Sequence, residues 1–128
     1  ANPKAAAAWN NLGLAYAGMG DLDEALKAFD KGLAIDPKSA VLLNNKGDAL
    51  FAAQRFMEAV TAYQKAIEVS PNHPMAYFRV AQIHQATGNM MGAVAAARRF
   101  VELAKDKPEY AELVTQARAF LLMMGVMQ

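Results

Sequence analysis

Three polar residues recur along this chain at one spacing and could bind another polypeptide. Asn11, Asn45 and Arg79 follow one another at equal intervals of 34 positions. A side-chain amide both donates and accepts hydrogen bonds, which suits it to hold a peptide backbone regardless of the side chains. A guanidinium can hold a carboxylate through two parallel hydrogen bonds. We expect a peptide-binding role if helices place these residues on one face; the alternative is that both asparagines only bond neighbouring backbone.

Catalytic and metal-binding patterns are absent from the sequence. It contains no phosphate loop, no GxGxxG and no HExxH, and it has no cysteine. His73 falls in a predicted loop, and His84 falls at a packing position of a predicted helix. No group of Cys, His and carboxylate residues has the spacing of metal ligands. The sequence therefore predicts no catalytic residue, no cofactor and no metal.

Charge and hydropathy exclude two further classes of partner. The net charge is +1, from 13 basic and 12 acidic residues, so no long-range field would draw the chain to nucleic acid or an anionic membrane. No apolar run of about 18 residues is present, which predicts no membrane insertion. With no signal segment recognised, a cytoplasmic location is favoured.

The same spacing extends to apolar and small residues. Shifting the chain by 34 aligns residues of similar size in sets of three: Trp9, Leu43 and Tyr77; Gly13, Gly47 and Ala81; Ala25, Ala59 and Ala93; Leu33, Ile67 and Val101. Self-similarity at a fixed period indicates a repeat architecture, in which each unit buries its apolar face on the next.

The first repeat carries a specific motif. From Trp9 it reads WNNLGLAYAGMGDLDEALKAFDKGLAIDP: an aromatic residue, Leu-Gly three and four residues on, then Tyr16, Gly20, Ala25, Phe29 and Pro37. These residues resemble the tetratricopeptide repeat (TPR), and with degenerate copies the resemblance covers roughly residues 6–105. It implies an all-α fold, a right-handed α-solenoid of three TPR helix hairpins with a seventh, C-terminal helix. We expect a single TPR domain over residues 1–128, with repeats at about 6–39, 40–73 and 74–107 and a capping helix at about 108–125.

Local signals set the expected helix ends. The first helix is predicted from about Pro3 to Gly18, and Asp21 with Glu24 should form a capping box on the second. The second corner, Gln54-Arg55, lacks a capping side chain. The helix from Met90 should end near Asp106, and the seventh helix should begin at Pro108 and end near Met124.

Departures from the repeat are also informative. Lys46 stands where Leu12 is expected to be buried, so its ammonium should reach water near the edge of a groove. In the third repeat, Ala97 stands where Phe29 and Tyr63 stood, and Phe100 stands where the first two repeats have Gly32 and Ala66.

The first residues suggest a longer array. Asn2-Pro3 lies one full repeat period before Asp36-Pro37, as the tail of a preceding repeat would. We therefore expect the chain to be a piece of a longer protein. Asn2 and Pro3 could equally cap the first helix, and the two interpretations are compatible.

The resemblance implies a concave groove lined by the first helix of each repeat. The predicted lining residues are Asn10, Asn11, Leu14, Asn44, Asn45, Asp48, Phe51, Met75, Phe78, Arg79, Gln82 and Gln85. The family's dicarboxylate clamp would require lysine, asparagine, asparagine, lysine and arginine at five of its positions. This chain has Asn10, Leu14, Asn45, Met75 and Arg79 there, and Asp48 adds a repelling charge. A receptor for chaperone tails is therefore not expected.

The end of the seventh helix is apolar on nearly every side. Leu122, Met123, Val126 and Met127 widen its stripe beyond what one neighbouring helix can cover. We expect these residues to contact a partner or a second copy of the chain.

These observations favour a protein-interaction scaffold that binds a peptide segment of a partner protein, and not an enzyme. One alternative is a structural module that self-assembles through its ends into a homo-oligomer. Another is the non-catalytic scaffold part of a larger enzyme, which the full reading frame would test.

Overall fold

The computed structural model describes residues 3–126, and helices dominate that range. Their bounds are α1 Pro3–Gly18, α2 Leu22–Ile35, α3 Ala40–Ala52, α4 Phe56–Val69, α5 Pro74–Thr87, α6 Met90–Ala104 and α7 Ala111–Met123. No residue between 3 and 126 lies in a strand. The first six helices pair as three successive hairpins, α1 with α2, α3 with α4 and α5 with α6. Asn2, which the sequence interpretation used, lies outside the described residues.

Two compact units divide the chain between Pro71 and Asn72. Unit 1 contains α1 to α4, and unit 2 contains α5 to α7. The assignment of all 128 residues to one domain stays a prediction.

The helix ends agree with the sequence except in the last third of the chain. The predicted bounds of α1 are confirmed. Helix α6 ends at Ala104, just before the predicted Asp106. Pro108 does not open an α-helix but a 3-10 turn, Pro108–Tyr110, in which the Tyr110 N–H donates to the Lys107 carbonyl at 3.0 Å. Proline suits this first turn because it has no N–H to leave unsatisfied.

The capping box predicted at Asp21 is only half formed. The Asp21 carboxylate accepts the Glu24 N–H at 3.4 Å, as an N-cap does. The reciprocal bond is not made, because the Asp21 N–H donates to the Tyr16 carbonyl at 2.9 Å. The Glu24 carboxylate lies instead 3.5 Å from the Lys27 ammonium.

The second corner lacks a cap, as predicted. Arg55 precedes α4 and makes no side-chain capping bond. Its guanidinium instead holds the Glu58 carboxylate through two hydrogen bonds, of 2.8 and 2.7 Å. Gln54 adopts a left-handed backbone with φ of 63°, where the other two corners have Gly20 and Gly88.

Unit 1 packs each hairpin through a glycine and an aromatic ring. A Cβ added to Gly13 would lie 2.6 Å from Cδ1 of Phe29, and one added to Gly47 would lie 2.7 Å from Cε1 of Tyr63. Both distances are well inside van der Waals contact. Gly13 and Gly47 therefore permit the close approach of the second helix in each hairpin.

Unit 2 has a core built around different aromatic residues. Phe100 is fully buried, with its ring centroid 5.0 Å from Phe78 and 6.1 Å from Tyr110. Ala104 of α6 and Val114 and Ala117 of α7 complete the buried cluster. Helix α7 is thus part of the core of unit 2.

The expectation that Leu12 is buried was wrong, because this residue is 41% exposed. Its equivalent Lys46 is half-buried, and its Nζ lies 2.8 Å from Oδ1 of the exposed Asp30 of α2; its place at a groove edge stays a prediction. The two positions differ because α2 packs on α3, whereas no helix of the described part of unit 1 covers the corresponding side of α1.

Candidate functional site

An amide pair links the first helices of the two hairpins in unit 1. Nδ2 of Asn45, on α3, donates to Oδ1 of Asn10, on α1, at 2.7 Å, and both residues are half-buried. Asn45 therefore bonds a side chain and not neighbouring backbone, contrary to the alternative considered above. Asn11, which was predicted to align with Asn45, follows Asn10 on α1 and is exposed.

The amide pair leaves one donor and one acceptor without a partner in residues 3–126. Asn10 uses its oxygen and keeps its NH₂ group, while Asn45 uses its NH₂ group and keeps its oxygen. Because the bond fixes each amide relative to the other, the remaining donor and acceptor are also held in place. A peptide group offers the complementary C=O and N–H.

Two further α3 residues of the predicted groove have different roles. The buried oxygen of Asn44 has no hydrogen-bond partner within the part of the chain that the structure describes. Asp48 accepts a hydrogen bond of 2.5 Å from the Tyr63 hydroxyl, so its carboxylate is tied to the hairpin it belongs to.

A cavity of about 220 Å³ adjoins Asn10. Its lining is mostly apolar and comes from α1, from the turn before α3 and from the start of α3: Pro3, Ala6, Ala7, Asn10, Asp36, Ser39, Val41 and Leu42.

Leu14 is exposed on α1, one turn beyond Asn10. Phe51 is half-buried, and its ring meets the edge of Phe56 with centroids 5.7 Å apart.

The unit 2 residues divide between the core and an open face. Phe78 was predicted to line a groove but is 7% exposed, because its ring packs on Phe100. Met75 packs against the same core. Arg79 donates from Nη1 to Oε1 of Gln82 at 2.8 Å, and Gln85 is exposed.

The sequence interpretation missed two residues of a small cavity in unit 2. This cavity of about 100 Å³ is lined by Phe78, Gln82 and Gln85 of α5 together with Gln116 and Phe120 of α7. The signal was present, since residues four apart on a helix share a face. The repeat also places α7 one period after α5, with Pro108 at the position of Pro74 and Gln116 at that of Gln82, but the sequence interpretation treated α7 only as a capping helix.

The predicted contact residues at the end of α7 are partly exposed. Leu122 is 66% exposed and Met123 is 74% exposed. The Val126 carbonyl accepts a hydrogen bond of 3.3 Å from Nη2 of Arg98, and this contact ties the segment to α6. Met127 lies outside the described residues.

The described residues, 3–126, contain neither a metal-binding group nor a membrane-spanning helix. No three His, Cys, Asp or Glu side chains are grouped closely enough to hold a metal ion. None of the helices in that range combines the length and hydropathy needed to cross a bilayer.

Helical hairpins repeated at a fixed period define a class of α-helical repeat protein. Within it, models of the tetratricopeptide repeat match residues 6–39 and 44–108. These matches cover most of the chain, which therefore belongs to the tetratricopeptide repeat family, as the resemblance indicated.

Solved TPR structures share the fold. The first TPR of Spaghetti (RPAP3) bound to the HSP90 peptide SRMEEVD is 23% identical, with a TM-score of 0.85 over 97% of this chain and 96% of that one. The Yersinia enterocolitica type III secretion chaperone SycD, in complex with a peptide of the translocator YopD, is 20% identical, with a TM-score of 0.85 over 92% and 90%. PcrH, in complex with the chaperone binding region of PopB, is 22% identical, with a TM-score of 0.83 over 94% and 98%. The predicted fold class, an all-α TPR solenoid, is confirmed. No curated protein matches the sequence significantly.

Proposed function

We propose that this protein is a non-catalytic interaction scaffold whose unit 1 binds an extended peptide segment of a partner protein. The observation that carries the proposal is the Asn10–Asn45 pair, which presents one free donor beside one free acceptor. One peptide group of a ligand would satisfy both. Because backbone groups are the same in every residue, this contact fixes the position of the ligand and leaves its sequence to be read elsewhere.

The neighbouring cavity supplies that second contact. Its Ala6, Ala7, Val41 and Leu42 walls and its volume of about 220 Å³ suit one aliphatic side chain of the ligand. Burying a side chain of leucine size contributes roughly 1.5–3 kcal/mol. The ligand we propose therefore has an aliphatic residue next to the peptide group that the amides hold.

The fold likenesses support peptide binding, but the residues argue against one kind of peptide. RPAP3 and SycD were solved with peptides of their partners. In this chain the two lysine positions of a dicarboxylate clamp hold Asn10 and Met75, and Asp48 of α3 adds a negative charge. We propose that an acidic C-terminal tail is not the ligand.

A displayed library of random dodecapeptides, selected on the full chain, tests this function. Selected peptides should share an aliphatic residue and should bind Asn10→Asp at least about tenfold more weakly, which is the effect of losing a hydrogen bond worth about 1.4 kcal/mol. This substitution keeps the oxygen that accepts from Asn45, but it replaces the free donor with a charged acceptor. The affinities can be measured by isothermal titration calorimetry.

Gln64→Glu is the matched control, because it makes the same amide-to-carboxylate change at an exposed position of α4. It should leave the affinities unchanged. Equal binding to wild type, Asn10→Asp and Gln64→Glu would rule out the amide pair as the site. Tight binding of a peptide ending in Glu-Glu-Val-Asp would contradict the proposed ligand chemistry.

A second candidate function is self-assembly through α7, favoured by the exposure of Leu122 and Met123 on a helix that ends apolar on several sides. In that case the mass from light scattering should rise with concentration, and Leu122→Glu should abolish the rise. Arg118→Glu, on an exposed position of the same helix, controls for charge. A monomer mass at every concentration would eliminate this candidate.

A further inference from the structure

A basic residue recurs at one position on the second helix of every hairpin. These residues are Lys31 of α2, Lys65 of α4 and Arg99 of α6, spaced 34 positions apart. The Lys31 ammonium lies 4.8 Å from the centroid of the Trp9 ring. The Arg99 guanidinium lies 5.9 Å from that of the Tyr77 ring. Each ring stands on the first helix of the same hairpin, so the attraction between a cation and a ring face operates in the first and third hairpins.

The second hairpin has the cation without the ring. Leu43 stands at the position of Trp9 and Tyr77. The exposed Lys65 makes no hydrogen bond, ion pair or ring contact within residues 3–126. A cavity of about 380 Å³ is lined by both Leu43 and Lys65, and this volume is in the range of small-molecule pockets. The middle hairpin therefore has a space and an unused cation where its neighbours have a ring and a paired one.

The walls of this cavity are largely apolar and come from three helices of unit 1. They include Leu33 of α2, Leu43 and Leu50 of α3, and Ala62 of α4. Such walls cannot satisfy a polar group, so the part of a ligand that enters must be apolar. Since Lys65 lines the same cavity, an aromatic ring placed there would give its ammonium the kind of partner found in the other two hairpins.

The charged residues of the cavity favour one sign of ligand charge. The Asp30 carboxylate lies 2.8 Å from the Lys46 ammonium. The Glu58 carboxylate is held by Arg55 through two hydrogen bonds. Each carboxylate is thus neutralised by its own partner, and the charge of Lys65 is left over. A ligand with one negative charge is therefore favoured over a neutral or a cationic one.

We propose that this cavity, called the Lys65 pocket below, binds a small aromatic carboxylate. The ring lies against the leucines, with the Lys65 ammonium over its face. A short arm between ring and carboxylate lets the negative charge turn toward the same ammonium. The site goes beyond the proposed function, because the Lys65 pocket shares no lining residue with the cavity beside the amide pair.

A series of three ligands tests this chemistry. The probe is naphthylacetate, titrated into the isotope-labelled full chain and followed through the amide chemical shifts. The shifts should concentrate at the Lys65 pocket, with a dissociation constant of about 1 mM or tighter for a ligand of this size. Naphthylacetamide lacks the charge, and decahydronaphthylacetate keeps the charge but lacks the ring face. Each should bind at least about threefold more weakly than the probe.

Lys65→Met removes the ammonium and keeps an apolar stem. It should weaken binding of naphthylacetate about tenfold, because both the ring contact and the ion pair are lost. Lys31→Met is the matched control, since it makes the same change one repeat earlier, and it should leave the affinity unchanged. Asn10→Asp should also bind the probe as the wild type does, which separates this site from the peptide-binding proposal.

Leu43→Tyr installs the ring that the third hairpin carries. The new ring should fill the Lys65 pocket and abolish binding of naphthylacetate, while the circular dichroism spectrum stays helical. Three results would overturn the proposal, and the first two do not depend on this variant. They are equal affinities for naphthylacetate and its decahydro analogue, equal affinities of Lys65→Met and Lys31→Met for the probe, and undiminished binding to a folded Leu43→Tyr.

Discussion

Units 1 and 2 solve the same problem of packing two helices in opposite ways. In unit 1 a glycine on the first helix faces an aromatic ring on the second, as Gly13 and Gly47 face Phe29 and Tyr63. At the equivalent positions of unit 2 the pair is Ala81 and Ala97, and both are buried. Unit 1 thus pairs a residue without a side chain with an aromatic ring, whereas unit 2 pairs two small side chains. A change on one helix is therefore tolerated only with its counterpart on the other.

The large side chains of unit 2 lie elsewhere in the hairpin. Phe100 takes the position of Gly32 and Ala66, and Phe78 takes that of Asn10 and Asn44. The two rings meet each other and the residues of α7. The change at position 78 thus replaces the amide that the first two hairpins carry there, and the two rings give α7 an apolar surface to pack on.

The largest predicted effect comes from Phe100→Ala. Loss of a fully buried phenylalanine should reduce the free energy of unfolding by about 3–5 kcal/mol, from lost burial and the cavity left behind. Amide hydrogen exchange should accelerate across α5, α6 and α7. Leu113→Ala, at the half-buried edge of the same core, should cost clearly less. Equal losses would mean that the aromatic pair is not the centre of unit 2.

Gly13→Ala should destabilise the protein by about 1–3 kcal/mol, because the added methyl group overlaps the Phe29 ring. Thermal unfolding followed by circular dichroism measures the change. In a Phe29→Ala background, which imitates the Ala81–Ala97 pair, the same substitution should be neutral or stabilising by up to about 1 kcal/mol, as helix propensity alone predicts. Additive costs in the two backgrounds would show that the pair is not coupled.

Gln54→Gly should stabilise the second corner by about 1 kcal/mol, because a left-handed backbone costs a residue with a Cβ roughly that much. Gly88→Ala is the reciprocal change at the third corner, where φ is 85° and a Cβ would meet no atom within 4 Å. It should destabilise the protein by a similar amount. Chemical denaturation of both variants would show whether the two corners differ only in backbone strain.

The smallest effect concerns Glu58, whose pKa lies below its ordinary value of 4.5 because it accepts a hydrogen bond from Arg55 and faces its charge. The ion pair favours the folded state above that ordinary value, and its contribution is lost as the pH falls through the lower pKa of the folded protein. A carboxyl-carbon NMR titration should show the pKa rising toward 4.5 in Arg55→Gln. Lys65→Gln should leave it in place.

Periodicity predicted the helices and hairpins well, because helix faces and ends depend on residues close in sequence. It failed where a neighbour decides the environment. Leu12 and Lys46 occupy equivalent positions, yet within residues 3–126 a helix packs over Lys46 and none over Leu12. Asn10 and Asn11 are adjacent, so a turn of about 100° decides which one meets Asn45. Gln116 lies one period after Gln82, yet it and Phe120 were missed because α7 was interpreted only as a capping helix.

One contact in unit 1 restricts how this sequence can be reused. Tyr63 and its acceptor Asp48 correspond, in the preceding hairpin, to Phe29 and Leu14, which carry neither a hydroxyl nor a carboxylate. A consensus averaged column by column could combine Tyr63 with a leucine in place of Asp48, and its phenol would then lose its acceptor. Longer arrays designed from these hairpins should therefore transfer the two residues together.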